Sequence, residues 1–259
     1  MSKLVYFSQK DPRWKDIMYS IRNDKKQTIG TSACGPTSAA MAISSLTGQT
    51  VLPTTAATYA LNNGYRTNDT GTSWSYFASI AKKYGLTCKQ TGSLSEVKKA
   101  LGEGKLVVAS MGKGNFTGGG HYILLVGMAF KDGYTWINVF DPNHSYSRYG
   151  TDGLIDQGVK NDGKVSAKEI VFAKQAKQYW IFSNQIKEDG SMNAEEKKAF
   201  EALQTKVTEL EKQLTPCPAP KWFVSEFGSA DLGGLIADPK FTKEGWRSLA
   251  VGLRARNKK

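Results

Sequence analysis

Residues Thr31–Gly48 read TSACGPTSAAMAISSLTG, and both the fold and the chemistry of the chain turn on this stretch. Its second half is a run of small and apolar residues at helical spacing. Ala40, Ile43, Ser44 and Leu46 fall on one side, and Gly48 stands where such a helix would close. Pro36 suits a first turn, because the amide it lacks is one that a helix start leaves unpaired anyway. The spacing therefore predicts a helix that opens at Cys34. Unpaired amides and the helix dipole at such an end favour a negative sulfur. Cys34 is either a buried structural thiol or a nucleophile that the helix activates.

Outward from this stretch, TSWSYFASIAKKYG predicts a second helix closing on Gly85, and SLSEVKKALGEG a third, with Ser93 and Glu96 placed as a capping box. The pattern then switches. KLVVASM, HYILLVGMAF, YTWINVFD and QYWIFS are short β-branched and aromatic runs separated by Gly, Asp and Asn, as strands are. Helices followed by strands predict an α+β fold with N-terminal helices and an antiparallel sheet, over residues 1–186. A polar stretch, NQIKEDGSMN, reads as a linker. In the next segment Phe200, Leu203, Val207, Leu210 and Leu214 follow the 3-4 spacing of a coiled-coil seam. This linker and helix span 187–220. PCPAP is a stiff break, and 221–259 reads as a small helical module with a basic end.

The chain has 259 residues, 40% of them apolar, and a formal charge of +12 with a pI near 9.5. A charge of that size implies attraction to a polyanion. Nucleic acid is one candidate and the anionic Gram-positive cell wall another; the basic residues are scattered and no aromatic-basic RNA-binding signature occurs, which speaks against nucleic acid. No apolar run is long enough to span a membrane, and the N-terminus lacks the pattern of a secretory signal. Cys34, Cys88 and Cys217 form no C-x-x-C pair and the only histidines are His121 and His144, so neither a zinc site nor a disulfide framework is expected. No cofactor or metal is called for.

Thiolate catalysis needs a base to take the proton and an acceptor to orient that base. His121 follows three glycines at the mouth of a predicted strand, and Asp141 ends the next one. An antiparallel pairing of those strands would bring carboxylate and imidazole together. The order Cys, His, Asp suits a papain-like arrangement. Cys88 reads as core or edge-strand filler, Cys217 as exposed and idle, and His144 as a competitor for the base. Trp14 reads as packing, and Trp74, Trp136 and Trp180 as core.

SACGPTSAAMAI, GGHYILLVG and VFDPN, with the opening FSQKDPRWKDIMYS, resemble the papain-like cysteine peptidases of the bacteriocin-leader-processing type, in the branch found as free-standing or phage-borne hydrolases. The resemblance covers roughly residues 4 to 183 and implies that Cys34 is the nucleophile, His121 the general base and acid, and Asp141 the orienting residue. The family usually places an oxyanion-stabilising glutamine shortly before the nucleophile. Six residues before Cys34 stands Thr28 instead. Gln9, in SQKDPRW, is the favoured donor and Gln27 the alternative.

The layout resembles that of a phage endolysin for Gram-positive hosts, a cysteine endopeptidase cutting stem or cross-bridge amides of peptidoglycan. The linker and C-terminal segments are similar to wall-associated modules, and the tail to the closing half of a surface-layer-homology-like repeat. Such an enzyme waits in the host cytoplasm until a holin opens the membrane, then binds peptidoglycan and anionic wall polymers. An amidase using the same triad, a non-lytic cytosolic protease and an inactive binding module are the alternatives. Lys187-Glu188 can be encoded by a ribosome-binding sequence upstream of Met192, which predicts a second product starting there. That product, or a further copy of the chain, would assemble through the coiled-coil seam.

Overall fold

The predicted helix forms over Cys34–Thr47, with Gly48 capping it in the left-handed region at φ 73°. Every residue from Gly35 to Ser45 is buried, so the one-sided pattern expected for it is replaced by burial all round. The reason is its position: it lies between a sheet and two other helices, where small side chains are needed on each face. Burial of a side chain such as Ile43 contributes about 1.5–3 kcal/mol.

The computed structural model describes residues 3–67, 71–144, 149–185 and 194–256; Met192 and the linker residues up to 193 lie outside them. The chain divides into Met1–Ile186 and Lys187–Lys259. In the first unit the elements are α1 (Ile29–Ser32), α2 (Cys34–Thr47), α3 (Pro53–Asn62), β1 (Arg66–Thr67), β2 (Gly71–Thr72), α4 (Ser75–Lys83), β3 (Leu86–Thr91) and α5 (Leu94–Gly102). They continue with β4 (Leu106–Met111), β5 (His121–Lys131), β6 (Tyr134–Phe140), β7 (Ile155–Asp156), β8 (Lys164–Lys168), α6 (Glu169–Gln175) and β9 (Ala176–Asn184). The fold is α+β, with a seven-stranded sheet in the order β3-β9-β4-β5-β6-β8-β7. All its pairings are antiparallel.

Alternation along the strands feeds two cores. Leu106, Val108, Tyr122, Leu124, Trp180 and Phe182 pack with α2, α3 and α4. Their neighbours Val107, Ala109, Ile123, Leu125, Tyr179 and Ile181 pack with α5 and the start of α6. Because both faces are covered, the central strands read as continuous apolar runs. Cys88 lies on β3, an edge strand of the sheet that pairs with β9.

Ser93 caps α5 by accepting from the Glu96 amide, but the Glu96 carboxylate pairs with Lys89 at 2.7 Å instead of closing the box. Trp74 departs from its expected core position: it stands at the start of α4, 46% exposed, with its ring edge-on to Trp180. Among the described residues no helix is long and apolar enough to cross a membrane.

The second unit holds α7 (Ala194–Leu214), α8 (Lys221–Phe227) and α9 (Lys243–Arg256). Phe223, Trp246 and Ala250 form its core, joined by Phe241, Leu249 and Cys217. Cys217 is thus not the exposed, idle residue expected of PCP. Its amide donates to the Phe241 carbonyl at 2.9 Å, and its own carbonyl accepts the Trp246 indole N–H at 2.9 Å.

Candidate active site

The first turn of α2 has no side-chain cap: Ala33 occupies the N-cap position. The sulfur of Cys34 lies where such a cap would act, taking backbone hydrogen bonds from Gly35 and Tyr122 and a side-chain hydrogen bond with His121. Burial opposes ionisation of the thiol, yet the imidazole and these amides outweigh it, and the pKa falls below the ordinary cysteine value. Two mainly buried neighbours leave little room here. A Cβ at Gly35 would come within 3.1 Å of the Thr72 side chain and 3.2 Å of the Tyr122 ring.

His121 opens β5, opposite Met111 of β4, and Asp141 follows the last residue of β6. The antiparallel pairing of β5 with β6 brings them together. The His121 Nε2 lies 2.7 Å from the Asp141 Oδ1, with the ring 8% exposed and the carboxylate fully buried. With Nε2 engaged there, Nδ1 is the ring nitrogen left for the thiol. Burial alone would hold the imidazole neutral, but the Asp141 charge and hydrogen bond, with Cys34 adding to them, push its pKa up to about 10. Both shifts favour a thiolate–imidazolium pair.

Asp141 is itself held from several sides. Its Oδ1 accepts the Asn143 amide at 2.8 Å, its Oδ2 accepts the Tyr149 hydroxyl at 2.8 Å, and its carbonyl accepts the Tyr6 hydroxyl at 2.9 Å. Its amide donates to the Gly163 carbonyl at 2.7 Å. Burial, then the Asp141 charge, raises the pKa of both Tyr6 and Tyr149, so each remains a protonated donor. Gly163 is there because nothing else fits: its φ is +76°, and a Cβ would overlap the Tyr6 hydroxyl.

Tyr149 and Tyr6 are the site residues that the sequence reading missed. Tyr149 has no motif around it, and Tyr6 lies one residue ahead of the opening FSQKDPRW segment that the sequence reading singled out. Tyr149→Phe removes one hydrogen bond to a buried carboxylate, an interaction worth about 1.5–3 kcal/mol. The expected result is a fall in kcat of about tenfold with KM unchanged, because the hydroxyl positions the carboxylate and does not touch substrate. Steady-state kinetics on a soluble peptide substrate checks it.

Gln9 is buried, at 3% exposed. Its Nε2 donates to the Gly30 carbonyl at 2.9 Å and its amide to the Pro142 carbonyl at 2.8 Å. One side-chain N–H remains over and above the Gly30 bond. The Gln27 side-chain oxygen instead accepts from the Ser32 hydroxyl at 2.5 Å and from the buried Arg66 guanidinium at 2.7 Å. His144 is paired through Nδ1 with the Ser8 hydroxyl, and Cys88, whose pKa burial pushes up to about 12, stands on the edge strand. Among the described residues, no group of three or more His, Cys, Asp and Glu side chains is placed to hold a metal ion.

Chemically, the arrangement supplies an anionic sulfur, a proton donor beside it and a fixed acceptor behind that donor. These are the parts needed for acyl transfer from an amide. Residues 4–160 match the model of the Peptidase_C39 like family. No curated protein matches the sequence. Among solved structures, the peptidase domain of Streptococcus ComA, a bi-functional ABC transporter involved in a quorum-sensing pathway, is 17% identical with a TM-score of 0.42, covering 60% of this chain and 93% of that one. A double glycine motif protease from an AMS/PCAT transporter, in complex with the leader peptide, is 20% identical with a TM-score of 0.38, covering 59% and 84% respectively.

Proposed function

Because the chain belongs to the Peptidase_C39 like family and is a papain-like cysteine peptidase, we propose that it is a phage endolysin whose catalytic unit cuts amide bonds of Gram-positive peptidoglycan. In this reading the Cys34 thiolate attacks the carbonyl carbon of a stem or cross-bridge amide. The developing oxyanion takes the free side-chain N–H of Gln9 and the amide of Cys34. His121, already an imidazolium, gives its Nδ1 proton to the leaving amine, and the C–N bond breaks to leave an acyl-enzyme. Water then gives a proton to His121 and its oxygen to the acyl carbon, which releases the acid and restores the thiolate.

The observation that supports the wall as substrate is charge. The first 186 residues hold 22 of the 35 Lys and Arg residues and 12 of the 23 Asp and Glu, so they carry +10 of the net +12. Arg13, Lys15, Arg22, Lys25 and Lys26 are all exposed in the segment that leads into the nucleophile helix. Wall teichoic acid is a chain of phosphates, and exposed basic groups on the catalytic unit concentrate the enzyme on it. Two or three phosphate contacts predict about a tenfold fall in activity on sacculi between roughly 50 and 200 mM salt. Hydrolysis of a short neutral peptide should change little over that range.

The decisive experiment is digestion of purified Gram-positive sacculi followed by mass spectrometry. New amino termini within the stem or bridge mark an endopeptidase. Cleavage between muramic acid and alanine marks an amidase that uses the same residues. Cleavage of protein substrates with intact sacculi would replace the lysin reading by a non-lytic protease.

A further inference from the structure

The seam of α7 stays uncovered. Phe200, Leu203, Val207, Leu210 and Leu214 are 47%, 61%, 47%, 55% and 70% exposed. A 3-4 alternation places Phe200, Val207 and Leu214 at a positions and Leu203 and Leu210 at d. That register also assigns the flanks: Lys206 falls at g and Glu211 at the following e. Both are exposed, and neither forms an ion pair among the described residues.

We propose that α7 pairs with α7 of a second copy of this chain as a parallel, in-register, two-stranded coiled coil. In a parallel pair a g residue faces the e residue five positions further along the other helix. Lys206 of each copy therefore meets Glu211 of its mate, and the two-fold axis makes the contact twice. Val207 at a between Leu203 and Leu210 at d is the β-branched and γ-branched combination that selects two strands.

Orientation follows from counting layers. In register and parallel, all five apolar positions stack on their own copies. An antiparallel pairing sets a against d, which uses at most four layers and leaves either Phe200 or Leu214 outside the seam. In the antiparallel register that leaves Leu214 out it also brings Lys206 close to Lys206, and in neither antiparallel register does Lys206 face Glu211 across the seam as g faces e. Two heptads give a modest association, since so short a helix is marginal by itself.

Sedimentation equilibrium of the full chain over a concentration series tests the pairing, with the mass rising from 28.4 kDa towards twice that value. Lys206→Glu alone and Glu211→Lys alone each put like charges across the seam. Each is expected to weaken association about tenfold, from a few tenths of a kcal/mol per pair gained or reversed. An equimolar mixture of the two variants, and the double variant K206E/E211K, should each restore the pairing. These substitutions lie on an exposed surface, and unchanged circular dichroism shows that the helix persists.

A mass that stays at one copy at every concentration overturns the proposal, and means that the seam is covered within the chain or by another partner. Dimers indifferent to all the charge reversals overturn the parallel register. A mass between one and two copies, produced by a shorter chain, identifies a different occupant. Peptidase activity is read separately and does not enter these outcomes.

Discussion

Cys34→Ala is expected to lower kcat by about 10⁵-fold or more, the scale seen when a nucleophile is removed from a catalytic triad. The substitution leaves the fold alone. Alanine starts a helix without difficulty, Ala33 already provides no cap, and the only side-chain hydrogen bond that the sulfur makes among the described residues is the one with His121. The melting temperature should therefore stay within a few degrees of the parent while release of new amino termini stops. His121→Ala should cost nearly as much, and the double variant no more than either alone, because the groups act as one unit. Activity that survives Cys34→Ala would move the nucleophile elsewhere. Cys88 is a poor substitute, with its thiol pushed up to about 12, and Cys217 is bonded into the core of the second unit.

Asp141→Asn should reshape the pH profile as well as lower it. The active form holds Cys34 as thiolate and His121 as imidazolium, so the acid limb of kcat/KM follows the lowered thiol and the alkaline limb follows the imidazole near 10. Activity rises as the thiol deprotonates and falls as the imidazolium does. The asparagine removes the carboxylate charge that holds the imidazolium, while burial, which disfavours it, remains. The alkaline limb should then move down by about two units or more, and the thiol, facing a ring less often charged, should titrate higher. The active window narrows from both sides. The expected loss at its centre is about 10²–10⁴-fold, since the ring also loses its fixed tautomer. A pH series of kcat/KM checks both parts, and an unmoved alkaline limb would show that Asp141 does not set the charge on His121.

The sequence discloses the helix at Cys34, the four strands of the sheet centre and the meeting of His121 with Asp141, because each depends on local spacing. Residues whose role depends on distant partners are hidden. α3 is drawn from LPTTAATYALN, where threonines weaken the helical signal. It forms because Ala56, Ala57 and Ala60 are buried against the Cys34 layer. β8, KVSAK, is too short and polar to stand out, and it exists as the partner of β6. Tyr149 enters the site from a loop with no motif, and its value lies in a carboxylate eight residues away in sequence. Cys217 looked inert because the groups it bonds, Phe241 and Trp246, are more than twenty residues further on. Trp74 looked like core because an aromatic residue beside a helix usually is; here the ring rests on Trp180 and leaves its other side to solvent.

The reactive sulfur belongs to a helix, whereas the ring that charges it belongs to the sheet, and the two meet only where those layers dock. A chain whose helices and strands have formed but not yet docked holds an ordinary thiol, protonated at neutral pH, with no imidazole beside it. Tertiary assembly is thus the activation step. While the chain is being made and folded it carries no working peptidase, and the cell producing it is exposed to the chemistry only once the last layer closes.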